Sequence, residues 1–250
     1  MRGLLILIVA LLVSACEPTN IVTRNDGELV LMSYNVRNGK GMDNKRNLNR
    51  TAAVIRAAQP DVVALQEIDS VTRRSEGDDV AAVLGKKCSM YHTFSKAIDY
   101  DGGGYGVALL SSEKPVAVQR FALPGREEAR TLLYVEFEQY AVVSTHLSLT
   151  AEDRMASLAV IDSVATMCTK PVFIAGDWNA TPESAFGRAL GEKMQYLTDP
   201  KACTFPADSP DRVIDYIVAP HDQAVEVLRR EVINEPMASD HRPIVAVVKR

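Results

Sequence analysis

The sequence lacks the features that mark most nucleic-acid binders, zinc proteins and repeat proteins. Its 250 residues carry 28 Lys and Arg against 32 Asp and Glu, a formal net charge of −4. A protein that holds nucleic acid mainly through phosphates presents a basic footprint, so any basic surface here must be local. The four cysteines, Cys16, Cys88, Cys168 and Cys203, match no zinc-ligand spacing. Three of them follow Cys16, so any pairing among these leaves a thiol over, and free buried cysteines are expected at all three. No segment repeats, and no stretch rich in Pro, Gly and Ser divides the chain.

One uninterrupted apolar run, Leu4 to Val13, follows Met1-Arg2-Gly3 and is too short for a comfortable membrane span. A single positive charge, a short apolar stretch and small residues make a secretory signal pattern. The run ends Leu12-Val13-Ser14-Ala15-Cys16, which resembles a bacterial lipobox. That resemblance implies cleavage before Cys16 and lipid on its thiol. Residues 1–15 are therefore expected to be a signal peptide, with Cys16 anchoring the protein in the cell envelope outside the cytoplasm. Residues 16–28 are polar and read as a flexible tether, leaving 29–250 as one domain. A chain of that length can bury one large core.

Hydrophobic patterning predicts strands at Leu29–Asn35, Asp61–Leu65, Tyr105–Leu110, Val172–Ala175, Val213–Val218, Val225–Arg229 and Ile244–Val248, with a hairpin from Leu132–Phe137 and Tyr140–Thr145. Helices are expected at Asn44–Ala58, stopped by Pro60, at Asp78–Leu84, stopped by Gly85, at Glu152–Met167 and, briefly, after Pro182. The apolar positions of the third are Met155, Leu158, Ala159, Ile161 and Val164. Strands do not alternate strictly with helices, as a parallel doubly wound sheet would require. The order fits an α/β fold of two mixed sheets packed face to face with helices outside.

The functional signal lies where the apolar runs end. Asn35 closes the first strand, Glu67 follows the second, and His146 follows the hairpin. Asp177 and Asn179 end another, Asp215 interrupts Ile214-Asp215-Tyr216-Ile217, and Asp240-His241 precede the last. Taken singly, Asn35 reads as a turn cap, Glu67 as a loop residue, His146 as a structural histidine and Asp240-His241 as a cap. Together they put costly carboxylates at one sheet rim, where pairing or metal must compensate them.

The segments Ser33-Tyr34-Asn35, Leu65-Gln66-Glu67, Ser144-Thr145-His146-Leu147, Gly176-Asp177-Trp178-Asn179, Ile214-Asp215-Tyr216 and Ser239-Asp240-His241 together resemble the endonuclease/exonuclease/phosphatase, or DNase I-like, family. They occur in that family's order and span nearly all of the chain after the tether. The resemblance implies a four-layer α/β sandwich and a divalent-metal-dependent phosphoric ester hydrolase. It implies metal ligands at Glu67, Asn35 and Asp240, and catalytic roles for His146, Asp177, Asn179, Asp215 and His241. Asp177 and Asn179 would position water and phosphate, Asp215 would orient His241, and His146 would contact phosphate or assist the leaving oxygen.

The residue types suit that chemistry. Mg²⁺, or Mn²⁺, prefers carboxylate, amide and water oxygens, and it neutralises charge developing on phosphate. An imidazole facing a carboxylate favours its charged form. The general base is left open between Asp177 and the Asp215–His241 pair. Arg130 either ties active-site loops together or touches phosphate, and Arg73 is a further candidate for the substrate anion. The substrate is a phosphoester: nucleic acid, or a small or lipid-linked phosphodiester. No protein partner is inferred. The competing reading, a binding lipoprotein that kept the fold and lost catalysis, would be marked by loss of one of the acids or of His241, and all are present.

Overall fold

The computed structural model describes residues 27–167 and 169–250. The signal peptide, Cys16, most of the tether and Cys168 lie outside the described residues. Among those described, no helix is long and apolar enough to cross a membrane.

In chain order the elements are β1 (Glu28–Asn35), α1 (Leu48–Ala58), β2 (Val62–Ser70), α2 (Val80–Cys88), β3 (Tyr91–Tyr100), β4 (Gly103–Ser111), β5 (Ala117–Leu123), β6 (Arg130–Glu136), β7 (Ala141–His146), α3 (Ala151–Thr166), β8 (Val172–Asp177), α4 (Ala185–Gly191), β9 (Met194–Tyr196), β10 (Asp215–Pro220), β11 (Val227–Val232) and β12 (Ile244–Lys249). Two six-stranded sheets result, ordered β11-β12-β1-β2-β4-β3 and β5-β6-β7-β8-β10-β9. Each is mixed. The β1–β2 and β7–β8 pairs are parallel and sit near the middle of their sheets, with antiparallel partners around them. The four-layer α/β sandwich expected from the sequence is the observed architecture.

Strand alternation builds the layers. Leu29, Leu31, Val62, Ala64, Val107 and Leu109 face the second sheet and meet Leu133, Val142 and Phe173 in the inter-sheet core. Their neighbours Val30, Met32, Val63, Leu65, Ala108 and Leu110 face outward under α1 and α2. The second sheet is covered by α3 and α4, through Ile161, Val164, Phe186 and Leu190.

Side-chain caps fix the helix starts. The Asn47 side chain accepts from the amides of Asn49 and Arg50, so α1 begins at Leu48 rather than Asn44. Asp79 caps α2 and Ser184 caps α4 in the same way. Gly85 does not stop α2, which continues to Cys88. A side chain there would crowd the Met90 carbonyl and His92, so this glycine serves close packing. The buried stripe of α3 is Asp153, Ser157, Ile161 and Val164, whereas Met155 and Ala159 are exposed. The expected stripe was wrong at Met155 and Ala159 because the buried face runs instead through Asp153, an acceptor for the Arg126 amide and the Ser148 hydroxyl, and Ser157. Cys88 and Cys203 are free, as expected, but only partly buried.

Candidate active site

The two parallel pairs, β1–β2 and β7–β8, run toward the same rim of the sandwich, where Asn35, Glu67, His146 and Asp177 converge. Antiparallel β10 starts at that rim with Asp215 opposite Asp177. The loop before β12 delivers Asp240 and His241. Gly176 lies directly against Thr145 of the neighbouring strand, and a Cβ there would come within 2.3 Å of the Thr145 carbonyl. That close approach sets His146 beside Asp177 in register.

Glu67 reaches the site through a β-bulge. Leu65 pairs with Ala108 and Ile68 with Gly106, so Gln66 and Glu67 together oppose Val107. Glu67 takes φ 57°, a left-handed backbone that costs a non-glycine residue roughly 1–2 kcal/mol. Asn179, just past β8, has φ 49°. Strained backbone of this kind gathers where side chains must be aimed. The Asp177–Asn179 turn is pinned from beneath by Trp178, which is fully buried. Its ring stacks on Tyr216 at 4.9 Å, and its Nε1 donates to the Tyr216 carbonyl at 2.8 Å.

Asn35 lies at the centre. Its Nδ2 donates to Glu67 Oε1 and to Asp177 Oδ2, both at 3.0 Å, and lies 3.5 Å from His241 Nε2. Its Oδ1 accepts the Arg37 amide at 3.1 Å. Asn35 was expected as a metal ligand. Here its oxygen is turned away to the backbone, and its nitrogen holds two carboxylates side by side. Burial pushes the Glu67 carboxyl above its ordinary pKa; the Asn35 hydrogen bond opposes this, and the Asp240 and Asp177 charges add to it. Asp240 is partly exposed and pairs with Arg37 at 3.4 Å.

His241 sits between two acids. Its Nδ1 is 2.9 Å from Asp215 Oδ2, and its Nε2 is 3.6 Å from Asp177 Oδ2. Thr204 Oγ1 donates to the same Asp215 oxygen at 2.6 Å. Burial disfavours the charged ring, but Asp215 and Asp177 outweigh it and hold the His241 pKa at about 10. Asp177, Asp215 and His241 each offer one atom within 4.8 Å of the others, a grouping that could hold a metal ion. With His241 Nδ1 engaged by Asp215, these three read more naturally as an acid–imidazolium–acid row.

His146 is the counterpart. Its Nε2 is 3.5 Å from Asp177 Oδ2, and its Nδ1 is 3.3 Å from Arg130 Nη1. Burial brings its pKa down to about 4, against the pull of Asp177. Arg130 is buried and pairs with Glu128 at 2.9 Å and Glu127 at 3.6 Å. Asn179 donates from Nδ2 to the Leu147 carbonyl at 2.9 Å and lines the cleft.

Arg73 is not brought in. Its side chain is 83% exposed beside Asp101 and is not among the residues lining the cleft. The loop after β2 turns it outward, while Arg74 is held by buried Asp69. Six cleft residues were not among the sequence candidates: Tyr105, Glu128, Leu149, Phe205, Arg212 and Ile214. Phe205 packs on His241 at 4.7 Å, with Arg212 over its ring at 4.8 Å. The apolar stretch around Tyr105 could have pointed to one of them; the others come from loops.

The fold and this rim define a class, the α/β-sandwich proteins with an acid-and-histidine cleft. The chain belongs to the endonuclease/exonuclease/phosphatase family, whose model matches residues 32–241. Among solved structures it is similar to a family protein of Beutenbergia cavernae, 22% identical over 89% of this chain and 71% of that one, with a TM-score of 0.71. A Leptotrichia buccalis family protein is 19% identical over 89% of this chain and all of its own, with a TM-score of 0.72. A mannosyl-6-phosphatase of Bacteroides thetaiotaomicron is 15% identical over 89% and 100%, also with a TM-score of 0.72. No curated protein matched the sequence.

Proposed function

We propose that this protein is a divalent-metal-dependent hydrolase of phosphoester bonds, of the phosphodiesterase or nuclease type. One observation carries the reading: Glu67, Asp177 and Asp240 crowd their charges at a single rim, beside an imidazole that two acids keep protonated. Like charges gathered at a partly buried site are unfavourable without a cation.

The donor set fits Mg²⁺ or Mn²⁺. Glu67 and Asp240 supply hard oxygens, no cysteine is among the described residues lining the cleft, and the upward push on Glu67 is the effect a nearby cation reverses. Glu67 and Asp240 would hold the ion, and Asn35 would keep Glu67 in place. When bound, the ion supplies charge neutralisation on phosphate oxygens and a lowered pKa for water. Asp177 is the better proton acceptor for the attacking water. His241 has a carboxylate facing each ring nitrogen and serves as a donor, able to stabilise the oxygens of the five-coordinate phosphorus. Asn179 and His146 border the space where the phosphate would lie.

The test is hydrolysis by the purified protein with Mg²⁺ or Mn²⁺ and with excess EDTA. Its substrates are plasmid DNA, RNA, bis-p-nitrophenyl phosphate, inositol phosphates, sphingomyelin and mannose 6-phosphate. Cleavage of at least one that EDTA abolishes is expected. Inactivity on all, or full activity in EDTA, would overturn the reading. We also propose attachment to the membrane through lipid on Cys16, on the strength of the apolar run and its small-residue end.

A further inference from the structure

Two histidines share this cleft, and they meet opposite kinds of partner. Nδ1 of His241 faces a carboxylate, whereas Nδ1 of His146 faces a guanidinium. A guanidinium has only donors and stays charged at any working pH. At 3.3 Å, Arg130 Nη1 can only donate, so His146 Nδ1 must present its lone pair. The ring proton then sits on Nε2, which faces Asp177 Oδ2 at 3.5 Å from the cleft wall.

We infer that Arg130 is a positioning residue for His146: it fixes the imidazole as the neutral tautomer protonated on Nε2, so that His146 is a hydrogen-bond donor to the substrate phosphate and not the acid that protonates the departing oxygen. The donor role rests on the hydrolase reading above; the tautomer does not.

The surroundings agree. A doubly protonated ring would set an Nδ1–H against a guanidinium N–H, and two cations in contact. The charged groups facing His146 are Asp177 and Glu127, which favour a charged ring, and Arg130 and His241, which oppose it; burial outweighs the acids. Arg130 itself cannot swing away easily. Glu128 and Glu127 hold it from the preceding loop, and Glu127 also accepts from Ser148, the Leu149 amide and Thr150. The loops before β6 and after β7 are thereby clamped on both sides of the imidazole. Arg130 Nε has no hydrogen-bond partner, so the guanidinium is fixed through its two terminal nitrogens.

Long-range ¹⁵N–¹H correlation spectra of ¹⁵N-histidine protein read the tautomer directly, without substrate or activity. The chain has four histidines, His92, His146, His221 and His241, assignable by single substitutions. His146 should show a protonated Nε2 and a bare Nδ1 from pH 8 to pH 5. R130K, which keeps a donor, should preserve the pattern. R130Q, whose amide oxygen can accept, should allow an Nδ1–H or charged form below pH 7. An Nδ1–H tautomer or a charged His146 in the unaltered protein at pH 7 would overturn the proposal, whether or not R130Q folds. Once a substrate is found, H146Q, which keeps a neutral donor, should lose no more than about ten-fold in kcat. A loss of a hundred-fold or more, the range of general acid catalysis, would return the acid role to His146.

Discussion

Both ends of the sandwich bury carboxylates, and they treat them in opposite ways. At the end away from the cleft, Asp61 is fully buried, yet its Oδ2 accepts the Val30 amide at 2.9 Å, and Ser112 and Arg250 lie at its Oδ1. Arg250 also meets Glu113, which takes the Tyr140 hydroxyl proton in a hydrogen bond. Each acid there has donors around it. At the cleft end, Glu67 has the single donor of Asn35 and acids for neighbours. The first arrangement stabilises the fold; the second leaves the Glu67 carboxylate short of donors, as the proposed metal site requires. Buried acids are thus distinguished by their partners more than by their depth.

The sharpest way to break that contrast is at Glu67. E67Q should lower kcat by at least 10²–10³-fold, the order seen when one electrostatic group is removed from a site. Its melting temperature should stay level or rise, because the neutral amide escapes the repulsion from Asp240 and Asp177. A clear drop in thermal stability with turnover intact would reverse the assignment. Next come Asp215 and His241. Each of D215N and H241A should cost on the order of 10²–10⁴-fold in kcat, and the double variant little more, because residues acting as a unit are strongly non-additive. Multiplicative losses would show two independent roles.

The other end should respond in the opposite sense. D61A leaves the Val30 amide without its partner and should cost roughly 1–3 kcal/mol in a denaturant titration, with kcat per folded molecule unchanged. A selective loss of turnover would mean the two ends are coupled. The smallest effect on chemistry is expected from C16S. Gly27, the first described residue, joins Arg250 at the end away from the cleft, through its carbonyl and the Arg250 amide. Fractionation and mass spectrometry should show C16S released from the membrane or unprocessed, with kcat on a soluble diester unaltered. An unmodified mature start elsewhere in a soluble wild-type protein would remove the anchor.

Most of this was legible in the sequence because central strands are apolar on both faces and end abruptly. Asp61–Leu65 and Val172–Ala175 read as strands, and the polar residues after them therefore stood out. Three strands escaped notice: β3, β5 and β9. All three lie on sheet edges. β3 buries one residue of ten and β5 one of seven, so neither carries an apolar alternation to detect. β9 has only three residues. The site divides the same way. Residues at strand ends could be found, whereas Phe205 and Arg212 reach the cleft through a loop bridged to itself, and no local pattern encodes that. The orientation of Asn35 and the difference between the two histidines depend on neighbours distant in sequence, Arg130 for one ring and Asp215 for the other.

The bulge in β2 has an arithmetic consequence. Leu65 and Ile68 face the same outer layer, and Gln66 faces inward between them. Odd and even positions alternate correctly along the strand only when residue 67 is left out of the count. In that sense Glu67 is an insertion into an already complete strand. A chain lacking it would keep both neighbouring ladders in phase and should fold with an unchanged near-ultraviolet spectrum while turning over nothing. The scaffold and its principal acid are separable by a single codon, so a variant can lose the chemistry and remain, by every measure of folding, the same protein.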